Sequence, residues 1–277
     1  MSHRRVAICC LWAALVLSSP CRGATVPLWE LGAGLGTIYL PDYRGADHTS
    51  AYALPFPYFA YNGKLLKIDK SGIQGRLFGT DRVLLNLSLG LGVPVSSRDN
   101  EARTGMPNLD PTVELGPSLD IHLWQNKLGN RSLWLKFPAR AAFSLSADNT
   151  AQQGWIFSPF ITYRQINHGL LKDWELNISL GPLFADSAYH DYFYEVTPAF
   201  ANAGRPAYSP GGGYSGSRIT IAMQRRYSHF WLGLFARYDN LSGAAFVDSP
   251  LVRTQSYFVT GFGVTWVGAE SKTMVVR

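Results

Sequence analysis

TVELGPSLDIHLW, residues 112–124, alternates strictly between two kinds of side chain. Val113, Leu115, Pro117, Leu119, Ile121 and Leu123 form one set, and Thr112, Glu114, Gly116, Ser118, Asp120 and His122 form the other. An extended strand points successive side chains to opposite faces, so this stretch predicts a strand with one large apolar face and one small or polar face. The pattern recurs in residues 83–95, where Val83, Leu85, Leu87, Leu89 and Leu91 oppose Asn86, Ser88, Gly90 and Gly92. It returns in 173–185, with Trp174, Leu176, Ile178 and Leu180 against Asp173, Glu175, Asn177, Ser179 and Gly181, and again in 257–266. In a soluble sandwich the second face would be charged and solvated. Here it is heavy in Gly, Ser and Thr, which suits the crowded interior of a barrel whose apolar face meets lipid.

Working outward, strands are expected at 28–40, 51–61, 64–70, 72–79, 83–95, 111–124, 131–145, 154–166, 172–185, 216–227, 229–239 and 256–266. The connections between them alternate in length. Those at 41–50, 96–110, 146–153, 186–215 and 240–255 are long, and those at 62–63, 80–82, 125–130, 167–171 and 228 are short. The tight Lys70-Ser71-Gly72 region is the exception on the long side. Short turns at one end and long loops at the other are the pattern of an outer-membrane barrel, and an even strand number puts both termini in the periplasm. Asn62-Gly63 is a two-residue hairpin signal. The expected fold is therefore all-β: one transmembrane, antiparallel, up-and-down β-barrel of about twelve strands.

The chain starts with His3-Arg4-Arg5, an apolar run from Val6 to Leu17, and then small residues up to Ala24. That order is a secretory signal peptide, and the apolar run is too short to span a bilayer as a helix. The expected division is a cleaved segment at 1–23 and a barrel domain at 24–277. Cleavage would remove Cys9, Cys10 and Cys21, so the mature chain would hold no disulfide or thiolate metal site. It would also remove Arg4, Arg5 and Arg22, leaving 22 basic against 19 acidic residues. That balance, without a Lys/Arg cluster, gives no reason to expect nucleic acid as a partner.

No catalytic, cofactor-binding or metal-binding residues are assigned. Gly32-Ala33-Gly34-Leu35-Gly36 is not followed by a helix whose amides could hold phosphate, so it reads as a small inner face. The six histidines lack His-x-x-x-His spacing. Asp120 and His122 share a face, but no Gly-x-Ser-x-Gly accompanies them. The inward charges say more. Glu114, Asp120 and His122 lie beside Lys136 and Arg140 on the next strand. Asp173 and Glu175 lie between Arg164 on one side and Arg218 and Arg226 on the other. Such neighbours can pair across a lumen where unpaired burial is expensive. The bulky inner-face candidates Trp134, Ile156, Phe160, Trp231 and Phe235 favour a filled interior over a wide pore. Tyr189, Tyr192, Phe193 and Tyr194 form an aromatic loop, the best candidate for exposed contacts; an aromatic girdle at the bilayer boundary is the competing reading.

Several stretches, in order along the chain, resemble the MipA/OmpV family of outer-membrane proteins: GLGTIYLPDYRG (34–45), LPFPY (54–58), YHDYFYEV (189–196), GRPAY (204–208), YDNLSG (238–243) and DSPLV (248–252). One departure is the end of the chain, which continues beyond Trp266 from Val267 to Arg277, whereas barrels of this type commonly finish on an aromatic residue. The resemblance implies contact with outer-membrane lipid. For some members it implies a scaffolding role that joins a lytic murein transglycosylase to a bifunctional murein synthase. A partner of that kind would have to meet the periplasmic turns or the termini. The competing functions are a barrel that admits small solutes and an outer-membrane enzyme.

Overall fold

The computed structural model describes residues 25–63, 66–69, 72–75, 79–80, 82–146, 150–168 and 171–276. The expected signal peptide lies outside the described residues, as do Lys64 and Lys70. The strands are β1 (Thr25–Pro27), β2 (Trp29–Pro41), β3 (Thr49–Asn62), β4 (Leu66–Asp69), β5 (Gly72–Gly75), β6 (Gly79–Thr80), β7 (Val83–Gly92) and β8 (Thr112–Gln125). They continue with β9 (Arg131–Leu145), β10 (Thr150–Phe157), β11 (Phe160–His168), β12 (Leu171–Ala185), β13 (Gly213–Arg226), β14 (Phe230–Asn240), β15 (Ser256–Glu270) and β16 (Met274–Val276).

Every pairing is antiparallel, and the ladder runs from neighbour to neighbour along the chain before β15 returns to β2. That ring is an up-and-down barrel. β10 and β11 are two halves of one run, since Phe157 pairs with Ala139 and Phe160 with Lys136 on the same partner, β9. The break falls at Ser158-Pro159, where proline has no N–H for the ladder. The strand expected at 154–166 thus begins earlier, at Thr150, and is interrupted midway. β5 and β6 both pair with β7 and likewise count as one run. Twelve runs then form the wall among the described residues.

The two faces separate as the alternation requires. Leu35, Leu115, Leu119, Leu123, Trp155, Leu180, Phe258, Phe262 and Trp266 are exposed on the outside, while Thr112, Ser118, Asp120 and Thr265 are buried within. An apolar surface this large is tolerable only against hydrocarbon or a partner. On the inside, glycine is required where strands crowd: a Cβ on Gly116 would collide with the Ala139 carbonyl. Leu119→Arg should therefore destabilise the barrel by about 2–4 kcal/mol if Leu119 lies near the bilayer midplane. Urea unfolding in lipid vesicles measures this, and a loss no greater than that of Leu119→Ala would contradict the outward assignment.

The long connections gather at one end and the short turns at the other. The tail beyond Trp266 extends β15 to Glu270 and then forms β16, which pairs with β1. Asn62 Nδ2 donates to the Pro27 carbonyl and Leu28 N to that of Thr273, so this two-stranded ribbon is tied to the turn end.

Candidate functional site

The long loops do not stand free. Tyr43, Ala46, Val95, Leu109, Tyr194, Val196, Leu241, Phe246 and Leu251, drawn from four connections, form one buried apolar cluster with Tyr257 and Val259 of the wall. Its centre is helix α1 (Ser187–Tyr194), whose N-terminus is capped by the Asp186 carboxylate accepting from Tyr189 N. Tyr194 stacks on Phe246 with centroids 3.7 Å apart and planes within 4°. Its hydroxyl donates to the Arg44 carbonyl, and the Tyr43 hydroxyl to that of Leu251. Two buried arginines staple the loops together. Arg103 donates to the carbonyls of Phe193 and Pro107, and Arg205 to those of Phe200, Ala102 and Thr104. The result is a packed seal across the loop end.

This corrects the reading of the aromatic loop as exposed. Tyr189 and Tyr194 are buried, while Tyr192 and Phe193 are half-buried and pack against the same cluster. An α-helix brings residues three and four apart together, so Tyr189 meets Phe193 and His190 meets Tyr194. The signal was present as Asp186, a good N-cap, ahead of eight residues without Gly or Pro.

The seal is joined to the lumen charges. Glu114 receives Arg140 Nε at 2.9 Å and the Tyr189 hydroxyl at 3.0 Å, linking α1 to β8 and β9. Arg140 also donates to Ser88 and Ser158. Deeper in the lumen, Asp120 accepts from Asn86, Ser118 and Lys136 at 2.6, 2.6 and 3.0 Å. Arg164 meets Glu175 at 2.8 Å. His122 stacks on Trp134 and joins no ion pair among the described residues. Arg218 and Arg226 find partners that the sequence reading missed. Arg218 meets Asp239, which Arg44 and Arg237 also reach, and Arg226 meets Glu30, which the Tyr58 hydroxyl and Trp231 Nε1 also approach. Asp173 departs from the expected lumen set. At a turn-end position with φ of 67° it is exposed and pairs with Arg225 at 3.3 Å.

Between these clusters the lumen divides into chambers. One, of about 750 Å³, has Phe56, Phe160, Trp231, Phe235 and Lys136 in its wall. Another of about 340 Å³ lies beneath the seal. Among the described residues no group of three or more His, Cys, Asp or Glu side chains could hold a metal ion.

One titratable group sits inside the seal itself. His190 has no exposed surface; Nε2 is 2.7 Å from Ser215 Oγ and Nδ1 is 2.7 Å from the Gly211 carbonyl. Burial lowers its pKa below the ordinary histidine value of 6.5. The opened seal binds the proton first, so stability is full above 6.5 and declines as pH falls through that value towards the lower native one. Protease nicking of the 186–212 loop should therefore increase as pH falls from about 7.5 to about 5.5. His190→Gln should flatten that dependence, and an unchanged profile in the variant would contradict the assignment.

The sequence model of the family described as MltA-interacting protein MipA matches residues 33–268, which span all twelve runs of the wall. The chain belongs to this family. Two relatives of this MipA-family chain are the outer membrane protein Omp26La of Vibrio anguillarum and the outer membrane protein OmpV of Vibrio cholerae. Each is 24% identical over 214 residues, covering 75% of this chain and 76% of the relative. Among solved structures, an outer membrane channel from Pseudomonas putida F1 covers 91% of this chain and 99% of its own, at 12% identity and a TM-score of 0.44. The toluene transporter TodX of Pseudomonas putida covers 90% and 89%, at 11% identity and a TM-score of 0.33. The protein is thus an outer-membrane β-barrel of the MipA/OmpV type.

Proposed function

We propose that this barrel is closed to bulk solute and works by contact, as a scaffold in the outer membrane. The observation that carries the reading is the loop-end seal, in which four long connections bury a common apolar core instead of standing open. The lumen below it is narrowed by the Glu114–Arg140 and Asp239 clusters. With its loop end sealed, the barrel offers the periplasm its short turns and the β1–β16 ribbon, which follows a signal peptide cleaved near residue 24. The partners are a lytic murein transglycosylase, in line with the family's description as MltA-interacting, and a bifunctional murein synthase. Binding of each purified enzyme to the refolded barrel in detergent tests this. Binding that survives protease trimming of the long loops and is lost when the 126–130 and 227–229 turns are replaced supports the scaffold. Failure of both enzymes to bind overturns it.

A second reading has one observation in its favour. The 750 Å³ chamber, with aromatic walls and Lys136 at its side, is large enough for a small solute. In that case the barrel would admit such a solute past a seal that opens.

A further inference from the structure

The chamber of about 340 Å³ beneath the seal has four guanidinium groups in its wall, those of Arg44, Arg140, Arg218 and Arg237. Three carboxylates lie among them. Glu114 is held by Arg140 and the Tyr189 hydroxyl. Asp42 is engaged by Ser50, His48 and Asn100. Asp239, fully buried, is alone in facing three arginines: Arg44 at 3.4 Å, Arg218 at 3.1 Å and Arg237 at 2.6 Å. Even with Asp42 counted, one positive charge is uncompensated.

The donors are placed to use it. Arg218 and Arg237 each give only Nε to Asp239, and their Nη nitrogens make no hydrogen bond among the described residues. Arg44 contributes charge more than bonds, because its Nη2 is shut off from the chamber. Guanidinium stays charged at all working pH values and presents a rigid fork matched to oxyanions. A cluster of like charges under a seal is expensive unless a counter-ion or water reaches it.

We infer that this chamber binds a small oxyanion of phosphate size, held by the Nη edges of Arg218 and Arg237 in the field of Arg44 and Arg140. The site goes beyond the scaffold reading and does not depend on it. Its volume is room for roughly ten water molecules, enough for phosphate with a partial shell but not for a lipid headgroup carrying its chains. Arg44 belongs to the 42–48 connection, so the anion also relieves repulsion where the seal is tied to the wall. Occupancy should therefore protect the loops.

The test is calorimetric titration of the full-length protein, refolded in phosphate-free zwitterionic detergent, with sodium phosphate against chloride at matched ionic strength. One saturable site is expected, with slower protease nicking of the loops in phosphate. Arg218→Gln and Arg237→Gln should each weaken binding about tenfold or more, while the exposed loop variant Arg253→Gln should not. No heat beyond the chloride control, or binding indifferent to both glutamine variants, overturns the site. Heat-modifiable gel mobility shows whether each variant retains the barrel. If the glutamine variants do not fold, Arg218→Lys decides, since it keeps the charge and loses the fork: weakened binding supports the site and unchanged binding overturns it.

Discussion

Asp239→Ala will be among the most damaging single substitutions in this protein, lowering stability by about 3–5 kcal/mol. The carboxylate has no exposed surface and is the shared partner of Arg44, Arg218 and Arg237. Removing it leaves three guanidinia facing one another in a poorly solvated space. Loss of one buried partner is far worse than loss of a whole ion pair, because the remaining charges stay where they are. The effect should also be directional, since Arg44 lies in a loop while Arg218 and Arg237 lie in β13 and β14. The seal should detach before the wall unfolds. Urea titration followed by loop proteolysis and by the barrel's gel mobility separates the two events. A loss below about 1 kcal/mol, the range of exposed pairs, would show that these charges are solvated individually.

Phe246→Ala will open the seal. Phe246 is 1% exposed, stacks on Tyr194 and meets His190 edge to face at 4.8 Å. Truncating a buried aromatic side chain typically removes about 3–5 kcal/mol through lost burial and the cavity left behind. Within the seal that loss falls on loops held by few ladder bonds, so it should appear as local opening with the strands intact. Rapid nicking of the 186–212 and 241–255 loops with unchanged far-UV circular dichroism is the expected result. Equal protease resistance of variant and parent would mean that the cluster is not what closes the loop end.

The wall was legible in the sequence because lipid imposes a uniform demand. Every second residue must be large and apolar, and Leu115, Leu119 and Leu123 meet it. Hairpin register then placed Asp120 opposite Lys136 and Glu114 within reach of Arg140, since adjacent strands joined by short turns have little freedom to slip. Other contacts escaped for identifiable reasons. Glu30 meets Arg226 only because the barrel closes β15 onto β2, bringing together residues 196 positions apart. Asp239 ends the strand expected at 229–239, but its contact with Arg44 comes from a loop, which no strand register predicts. The seal was hidden because loops carry no fixed period. Its core is assembled from single residues such as Tyr43, Val95 and Leu251, each unremarkable in its own segment.

The most direct test is planar-bilayer recording on the refolded protein, read beside Phe246→Ala. A sealed loop end predicts a parent protein with no stable open-channel conductance and a variant that gates. Stable, large conductance from the parent would contradict the closed barrel and make the lumen a pathway for solutes.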